Sequence, residues 1–198
     1  MKLRKKIMAC TLAAAMLLGS AAAVYAEGSR TNDLTVTNAS AQDYQITGKI
    51  EDSDSYKELK EKAPEIVEII DKVNDGTMEM VDFVTKLTEE ADGLTDETAK
   101  KDLEKVIETL RTKDFVTGFV DLIALEAAEK NEEGMYEVTI SVPSLTDKLR
   151  NVQILHYSTE RSLWEIVDPT EIDTEEKTVT AEFEDLSPIA VIADSTAK

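Results

Sequence analysis

The hydrophobic pattern changes twice along this chain of 198 residues. Between Ser53 and Lys113, apolar residues recur every three or four positions, as they do in amphipathic helices. After Lys113, apolar and polar residues alternate, as they do in half-buried strands. The pattern therefore predicts a helical segment over residues 53–113 and a β domain over residues 114–194, which together make an α+β protein.

The helical segment contains signals for the ends of several helices. Ser55, with Glu58 three residues later, predicts a capping box at the first helix start. Pro64 predicts either a kink or the first turn of a second helix, and Gly76 and Gly93 are typical of helix ends. We expect three or four helices that bury one another as a small bundle. The residues predicted to face inward are Ile66, Val67, Ile69, Ile70, Val73, Met80, Val81, Phe83, Val84, Leu87, Ala99, Leu103, Val106, Ile107 and Leu110.

Short alternating stretches predict a C-terminal antiparallel β-sandwich. The clearest are residues 136–142 and 178–184, and the further candidates are 152–157, 163–167 and 189–193. Residues 115–125 also fit a helix, but Gly118 and the β-branched content favour a strand. Residues 27–52 are mostly polar and predict a disordered leader, in which Tyr44, Ile46 and Ile50 offer one short strand that could join the later sheet.

The first 26 residues have the pattern of a secretory signal peptide. A cationic start is followed by an apolar run over residues 7–18, and small residues precede a predicted cleavage site between Ala26 and Glu27. The run is shorter than the ~20 residues that span a membrane, and Cys10 lacks the preceding apolar run of a lipoprotein signal. We expect a secreted or non-covalently surface-associated protein with no transmembrane span after cleavage. The C-terminal tail carries no LPxTG-type sorting motif.

The amino-acid composition limits the partners and the reactive groups that the protein can have. The chain has 41 Asp and Glu against 22 Lys and Arg, with a formal charge of -19, one His and one Cys. This acidity argues against a nucleic-acid partner, since phosphate binding needs a basic surface. Cleavage would remove Cys10, so the mature protein would have neither a thiol nor a disulfide. The expected partner is a protein or another component of the cell envelope, and no cofactor is predicted.

Three carboxylates suggest a calcium site. Asp71, Asp75 and Asp82 stand at positions one, five and twelve of an EF-hand loop, with Gly76 at position six. Position three is Val73, which has no side-chain oxygen. A helix end followed by a turn explains the same residues, and both interpretations stay open.

The candidates for catalysis are few. His156 shares a strand face with apolar residues, which favours a structural, hydrogen-bonded role over a general base. No Gly-x-Ser-x-Gly motif is present. Paired carboxylates could hydrolyse a glycoside, but Trp164, the one Trp, is expected in the core and not at a sugar site. We therefore predict no catalytic residues and no enzyme.

Three motifs stand out in the β region: Leu155-His156-Tyr157, Trp164-Glu165 and Ser187-Pro188. With the strands around them, over residues 119–192, they resemble a β-sandwich module. This module recurs near the C-termini of secreted and cell-surface proteins of Gram-positive bacteria and is distantly similar to ZU5-type domains. The resemblance implies a fold and a location, and such modules usually act as stalks or accessory domains. The prediction is an exported, non-enzymatic accessory or interaction protein of the bacterial cell envelope. The alternatives are a divalent-cation or small-ligand binding protein and, third, a carboxylate-dependent hydrolase.

Overall fold

The structure of the protein is a computed structural model that describes residues 32–47 and 49–195. These residues form four α-helices and two antiparallel sheets, so the predicted α+β class is confirmed. None of the helices in these ranges is long and apolar enough to cross a membrane. The predicted signal peptide, its cleavage site after Ala26 and Cys10 lie outside the described residues.

The helices follow the predicted segments, but the first begins at a different cap. Ser53, and not Ser55, caps α1, because its Oγ accepts a hydrogen bond from the backbone N–H of Tyr56 at 3.0 Å. Pro64 lies in the first turn of α2, and Gly76, with φ of 75°, follows its end. The helices are α1 (Asp54–Lys62), α2 (Pro64–Asn74), α3 (Met80–Gly93) and α4 (Glu97–Leu110).

The strands form one sheet of six and one of four. The six-stranded sheet has the order β2 (Tyr44–Thr47), β4 (Val120–Ala124), β10 (Pro188–Asp194), β6 (Gln153–Ser158) and β7 (Leu163–Val167), and β3 (Lys113–Phe115) also pairs with β10. The four-stranded sheet has the order β1 (Thr35–Val36), β5 (Tyr136–Ser141), β9 (Thr178–Phe183) and β8 (Glu171–Asp173). Each predicted stretch contains a strand, but residues 115–125 contain parts of two strands, β3 and β4, and not one continuous strand; β1 and β8 were not predicted.

The structure differs from the predicted disordered leader where residues 32–52 are described. β2 pairs with β4, so the short strand around Tyr44 does join the later sheet, and β1 pairs with β5. Two short 3₁₀ turns, Asn38–Gln42 and Ile50–Asp52, complete the segment. Although the segment is mostly polar, three of its apolar or aromatic side chains, those of Leu34, Tyr44 and Ile50, are buried. Their burial offsets the entropy lost in ordering the segment.

Two hydrophobic cores lie on opposite faces of the six-stranded sheet. The intersheet core is formed by side chains of both sheets, such as Ile154 of β6 and Val179 of β9. The helix–sheet core is formed by the helices and by the other face of the six-stranded sheet, including Leu155 and Tyr157 of β6. The apolar helix stripes therefore pack on the sheet as well as on one another, whereas the sequence predicted only that they bury one another in a small bundle. Val81, predicted to face inward, is 71% exposed.

The end of α2 is fixed to the six-stranded sheet by one side chain. Asn74 Oδ1 accepts a hydrogen bond from the backbone N–H of Phe119 at 2.6 Å, and Asn74 Nδ2 donates to the carbonyl of Phe119 at 3.0 Å. Both backbone groups of Phe119, just before β4, are thus satisfied by one amide. This contact positions α2 along the sheet and so places the side chains at its N-terminal end, where the candidate site lies.

Candidate functional site

A cleft of about 810 Å³ lies where α1, α2 and α3 meet the turn between β6 and β7. Its volume falls within the range of small-molecule and peptide-binding pockets. Four apolar or aromatic side chains form what we call the floor of the cleft: Leu59, Ile66, Ile69 and Tyr157. Leu59 belongs to the apolar face of α1, Ile66 and Ile69 belong to that of α2, and Tyr157 comes from β6; all four are part of the helix–sheet core.

Charged side chains surround this floor, and some of them neutralise one another. Lys62 Nζ lies 2.6 Å from Glu58 Oε1 along α1, and Lys86 Nζ lies 2.7 Å from Glu89 Oε2 along α3. The remaining acids of the cleft are Glu65, Glu90 and Glu160, which we call the free rim acids. Among the described residues they make no ion pair. The cleft therefore carries an excess of negative charge.

Glu65, Glu90 and Tyr157 influence one another electrostatically. Burial raises the pKa of Glu90 above its ordinary value, and the neighbouring charge of Glu65 raises it further. Burial also raises the pKa of Tyr157, with a contribution from the charge of Glu90, while a hydrogen bond with Ser162 acts in the opposite direction. The site thus holds two carboxylates that repel each other beside a buried phenol, an arrangement that a cation would stabilise.

A buried carboxylate lies next to the α1 wall of the cleft. Asp121 of β4 is 0% exposed, and its Oδ2 accepts hydrogen bonds from the hydroxyls of Ser53, at 2.5 Å, and Ser55. Its Oδ1 finds no hydrogen-bond partner within the part of the chain that the structure describes. Burial raises the pKa of Asp121, although both serine hydroxyls lower it. Since Ser55 also lines the cleft, Asp121 fixes the helix that forms this wall.

The histidine of the chain belongs to a closed hydrogen-bonded chain. His156 Nε2 lies 2.7 Å from Ser187 Oγ, and that hydroxyl donates its proton to the carbonyl of Tyr157 at 2.6 Å. His156 Nε2 must therefore carry a proton and donate to Ser187, which is the reverse of what a general base requires. On the other side of the ring, Glu165 Oε2 lies 3.9 Å from His156 Nδ1. Both His156, at 1% exposed, and Ser187, at 0% exposed, are closed off from solvent. This arrangement agrees with the predicted structural role of His156.

The three acids of the calcium hypothesis have separate local partners. Asp71 accepts a hydrogen bond from the hydroxyl of Tyr56, and Asp75 Oδ1 accepts from the backbone N–H of Thr77 at 2.9 Å. Asp82 Oδ2 accepts from the backbone N–H of Glu79 at 3.3 Å and so caps α3. Within residues 32–47 and 49–195, no three His, Cys, Asp or Glu side chains are placed to hold a metal ion. The hydrogen bonds fit the alternative of a helix end and turn, and calcium binding at these residues stays a prediction.

A second depression, of about 470 Å³, surrounds Lys113 and Asp194. Lys113 is 5% exposed, and its Nζ lies 2.8 Å from Asp194 Oδ1 and 2.6 Å from the carbonyl of Asn151. The pKa of Asp194 is lowered chiefly by its hydrogen bond with Lys113. The buried cation is thus neutralised within the protein, and the larger cleft is the better candidate for a ligand.

Sequence reasoning identified neither the cleft nor Asp121. The free rim acids come from α2, α3 and the turn after β6, and they meet only because the helices pack on β6. A signal for Asp121 did exist, because an acidic residue between Val120 and Leu122 is unusual in a strand that is buried on both faces. Comparison of the chain with protein-family models, with curated proteins and with solved structures finds no match.

Proposed function

We infer that this protein is an exported, non-enzymatic accessory or interaction protein of the bacterial cell envelope, and that the cleft receives its partner. The observation that carries this proposal is the cleft itself, with its apolar floor and its three free rim acids. A floor of this kind gives a partner apolar contact area, and unneutralised charges around it give orientation and selectivity.

Other observations support parts of the proposal. The cationic and apolar start of the chain supports export. The intersheet core, shared by two antiparallel sheets, supports a β-sandwich like that of the surface modules which residues 119–192 resemble. The hydrogen bond that His156 donates to Ser187 supports a role without turnover, because it leaves the imidazole no free acceptor toward that serine.

Affinity capture from the cell envelope tests the proposal. The full chain is immobilised and incubated with an envelope fraction of its own cells, and retained components are identified by mass spectrometry. The variant Glu65→Gln/Glu90→Gln removes two charges from the cleft. Its matched control, Glu132→Gln/Glu133→Gln, removes two charges from an exposed loop outside the cleft.

We expect a component that the wild type and the control variant retain and that the cleft variant loses. Retention of the same components by all three proteins would refute a role for the cleft. Thermal unfolding should show that the cleft variant is no less stable than the wild type, since it removes a partly buried carboxylate and its repulsion with Glu65, while the exposed control substitutions should change stability by less than about 0.5 kcal/mol.

One observation favours a second candidate, a carboxylate-dependent hydrolase. Glu65 and Glu90 line one cleft, and the raised pKa of Glu90 is the property of a general acid. Release of reducing ends from purified cell-wall glycan would reveal such an activity. If the protein is a hydrolase of this kind, Glu90→Gln should reduce the rate by about 10²-fold or more, whereas Glu132→Gln should not change it. If the wild type releases no reducing ends, the hydrolase candidate is ruled out and the interaction function is the one that remains.

A further inference from the structure

The cleft combines two kinds of surface that few ligands match together. Its floor is lined by the apolar or aromatic side chains of Leu59, Ile66 and Tyr157, which are each at most 5% exposed. Its rim carries carboxylates. A lysine or arginine side chain has the complementary structure, because an apolar stem can lie on the floor while the charged tip reaches a rim acid.

The charges of the rim indicate which charge a ligand of the cleft should carry. Lys62 and Lys86 are neutralised by Glu58 and Glu89 on their own helices. The free rim acids therefore face the cleft without a counter-charge from the described residues. Glu65 and Glu90 are close enough to repel each other, and an ammonium or guanidinium group between them would convert that repulsion into attraction. The formal charge of -19 adds a long-range attraction for cations.

Other ligands fit the cleft less well. A divalent metal ion needs several oxygen ligands around one point, and the described residues place no three His, Cys, Asp or Glu side chains for one. A bare ion would also leave the apolar floor unused. An acidic peptide or a nucleic acid would be repelled by the rim.

Resting on the proposed function, we propose that the partner's docking element is a peptide segment that presents lysine or arginine side chains among apolar residues. The apolar residues of the segment cover the floor of the cleft, and its cations contact the free rim acids. The occupant is thus a basic, amphipathic stretch of a partner protein, and the free rim acids select it.

A defined peptide pair tests this assignment on the full chain. The probe is a blocked hexapeptide that alternates leucine and lysine, and its twin carries acetyl groups on every lysine side chain. Binding is measured by isothermal titration calorimetry. It is also followed by the fluorescence of Trp164, which packs at 5.0 Å, centroid to centroid, on Tyr157 of the floor.

We expect the lysine peptide to bind the wild type and the Glu132→Gln/Glu133→Gln control equally. It should bind Glu65→Gln/Glu90→Gln about tenfold more weakly, since two charge contacts are lost, and more weakly at high salt. The acetylated twin should show no comparable binding. A separate Glu160→Gln variant should also weaken the lysine peptide, so the test does not depend on the double variant alone.

Several outcomes would overturn the assignment. Equal binding of both peptides would show that the floor alone selects the ligand, and equal binding by the cleft and control variants would place the peptide elsewhere. If envelope capture depends on the cleft but the lysine peptide does not bind, the proposed function stands and this assignment fails. If the peptide binds as expected but no envelope component is captured, the assignment stands and the proposed function fails.

Discussion

Phe83→Ala tests whether the helices and the six-stranded sheet fold as one unit. Phe83 of α3 is 0% exposed and lies in the helix–sheet core. Its ring meets those of Trp164 in β7 and Phe115 in β3 edge to face, with centroids 5.0 Å and 5.5 Å away. Truncation of this one side chain therefore removes contacts that join a helix to two strands.

The expected cost is a substantial fraction of the stability of an ordinary domain. Burial and cavity terms make Phe→Ala in a core cost about 3–5 kcal/mol, a range that already includes most of the value of its edge-to-face ring contacts. Complete burial and two edge-to-face ring partners place Phe83 in the middle of that range, at about 4 kcal/mol. Typical domains are stable by about 5–15 kcal/mol, so the variant should fold but unfold at much lower urea concentration.

Equilibrium unfolding in urea, followed by two probes, measures the free energy of unfolding and shows whether the helices and the sheet unfold together. Trp164 fluorescence reports on the sheet side of the helix–sheet core, and far-UV circular dichroism reports mainly on the helices. We expect one coincident transition by both probes in the wild type and in Phe83→Ala. Val81→Ala is the matched control on the same helix, and it should cost less than about 0.5 kcal/mol because Val81 is 71% exposed. Two separate transitions, or a loss below about 1 kcal/mol for Phe83→Ala, would refute a shared core and favour separate helical and β domains.

Three further substitutions test individual contacts. Burial raises the pKa of Asp121 above 3.8, so the fold favours its protonated form and loses stability as the pH rises from the ordinary aspartate range through that raised value. Asp121→Asn should remove this loss, so that its stability in urea unfolding rises relative to that of the wild type as the pH is raised. Gly118→Ala should cost about 1–3 kcal/mol by thermal unfolding, because its Cβ would overlap two asparagine side chains, whereas Gly93→Ala, with no atom within 4 Å, should not destabilise. Ser187→Ala should cost about 1–3 kcal/mol, since it leaves His156 Nε2 and a buried carbonyl without their partner; unchanged stability would contradict the closed hydrogen-bonded chain.

The sequence predicted elements well where the periodic pattern was long. Each of α2, α3, α4, β5 and β9 buries one face, so its apolar residues recur at the period of the element. β1 and β8 were missed because two or three residues are too short to show a period. The cap of α1 was placed at Ser55 because that residue has a glutamate three positions later, but in the structure its hydroxyl binds Asp121 instead. A partner 66 positions away in the chain is invisible to a local pattern.

The site was less predictable than the fold for a related reason. The sequence showed many acids and gave no means of choosing among them, since each acid looks like part of a solvated helix face. Glu65 and Glu90 become neighbours through the packing of two helices, and Lys62 and Lys86 are neutralised by residues three or four positions away. Which acids remain without a counter-charge is thus a property of the tertiary structure.

β6 connects the cleft to the intersheet core through the alternation of its side chains. Tyr157 faces the helices and forms part of the cleft floor, while its neighbour His156 faces the other sheet and packs against Phe183 of β9 at 5.7 Å. The hydroxyl of Ser187 binds both His156 Nε2 and the carbonyl of Tyr157, so one buried hydroxyl restrains the backbone beneath the cleft. The polar residues of the intersheet core therefore have a clear physical role, because they fix the strand on which the floor of the cleft is built. His156 therefore acts on the position of Tyr157 through the hydroxyl of Ser187 and the backbone of β6.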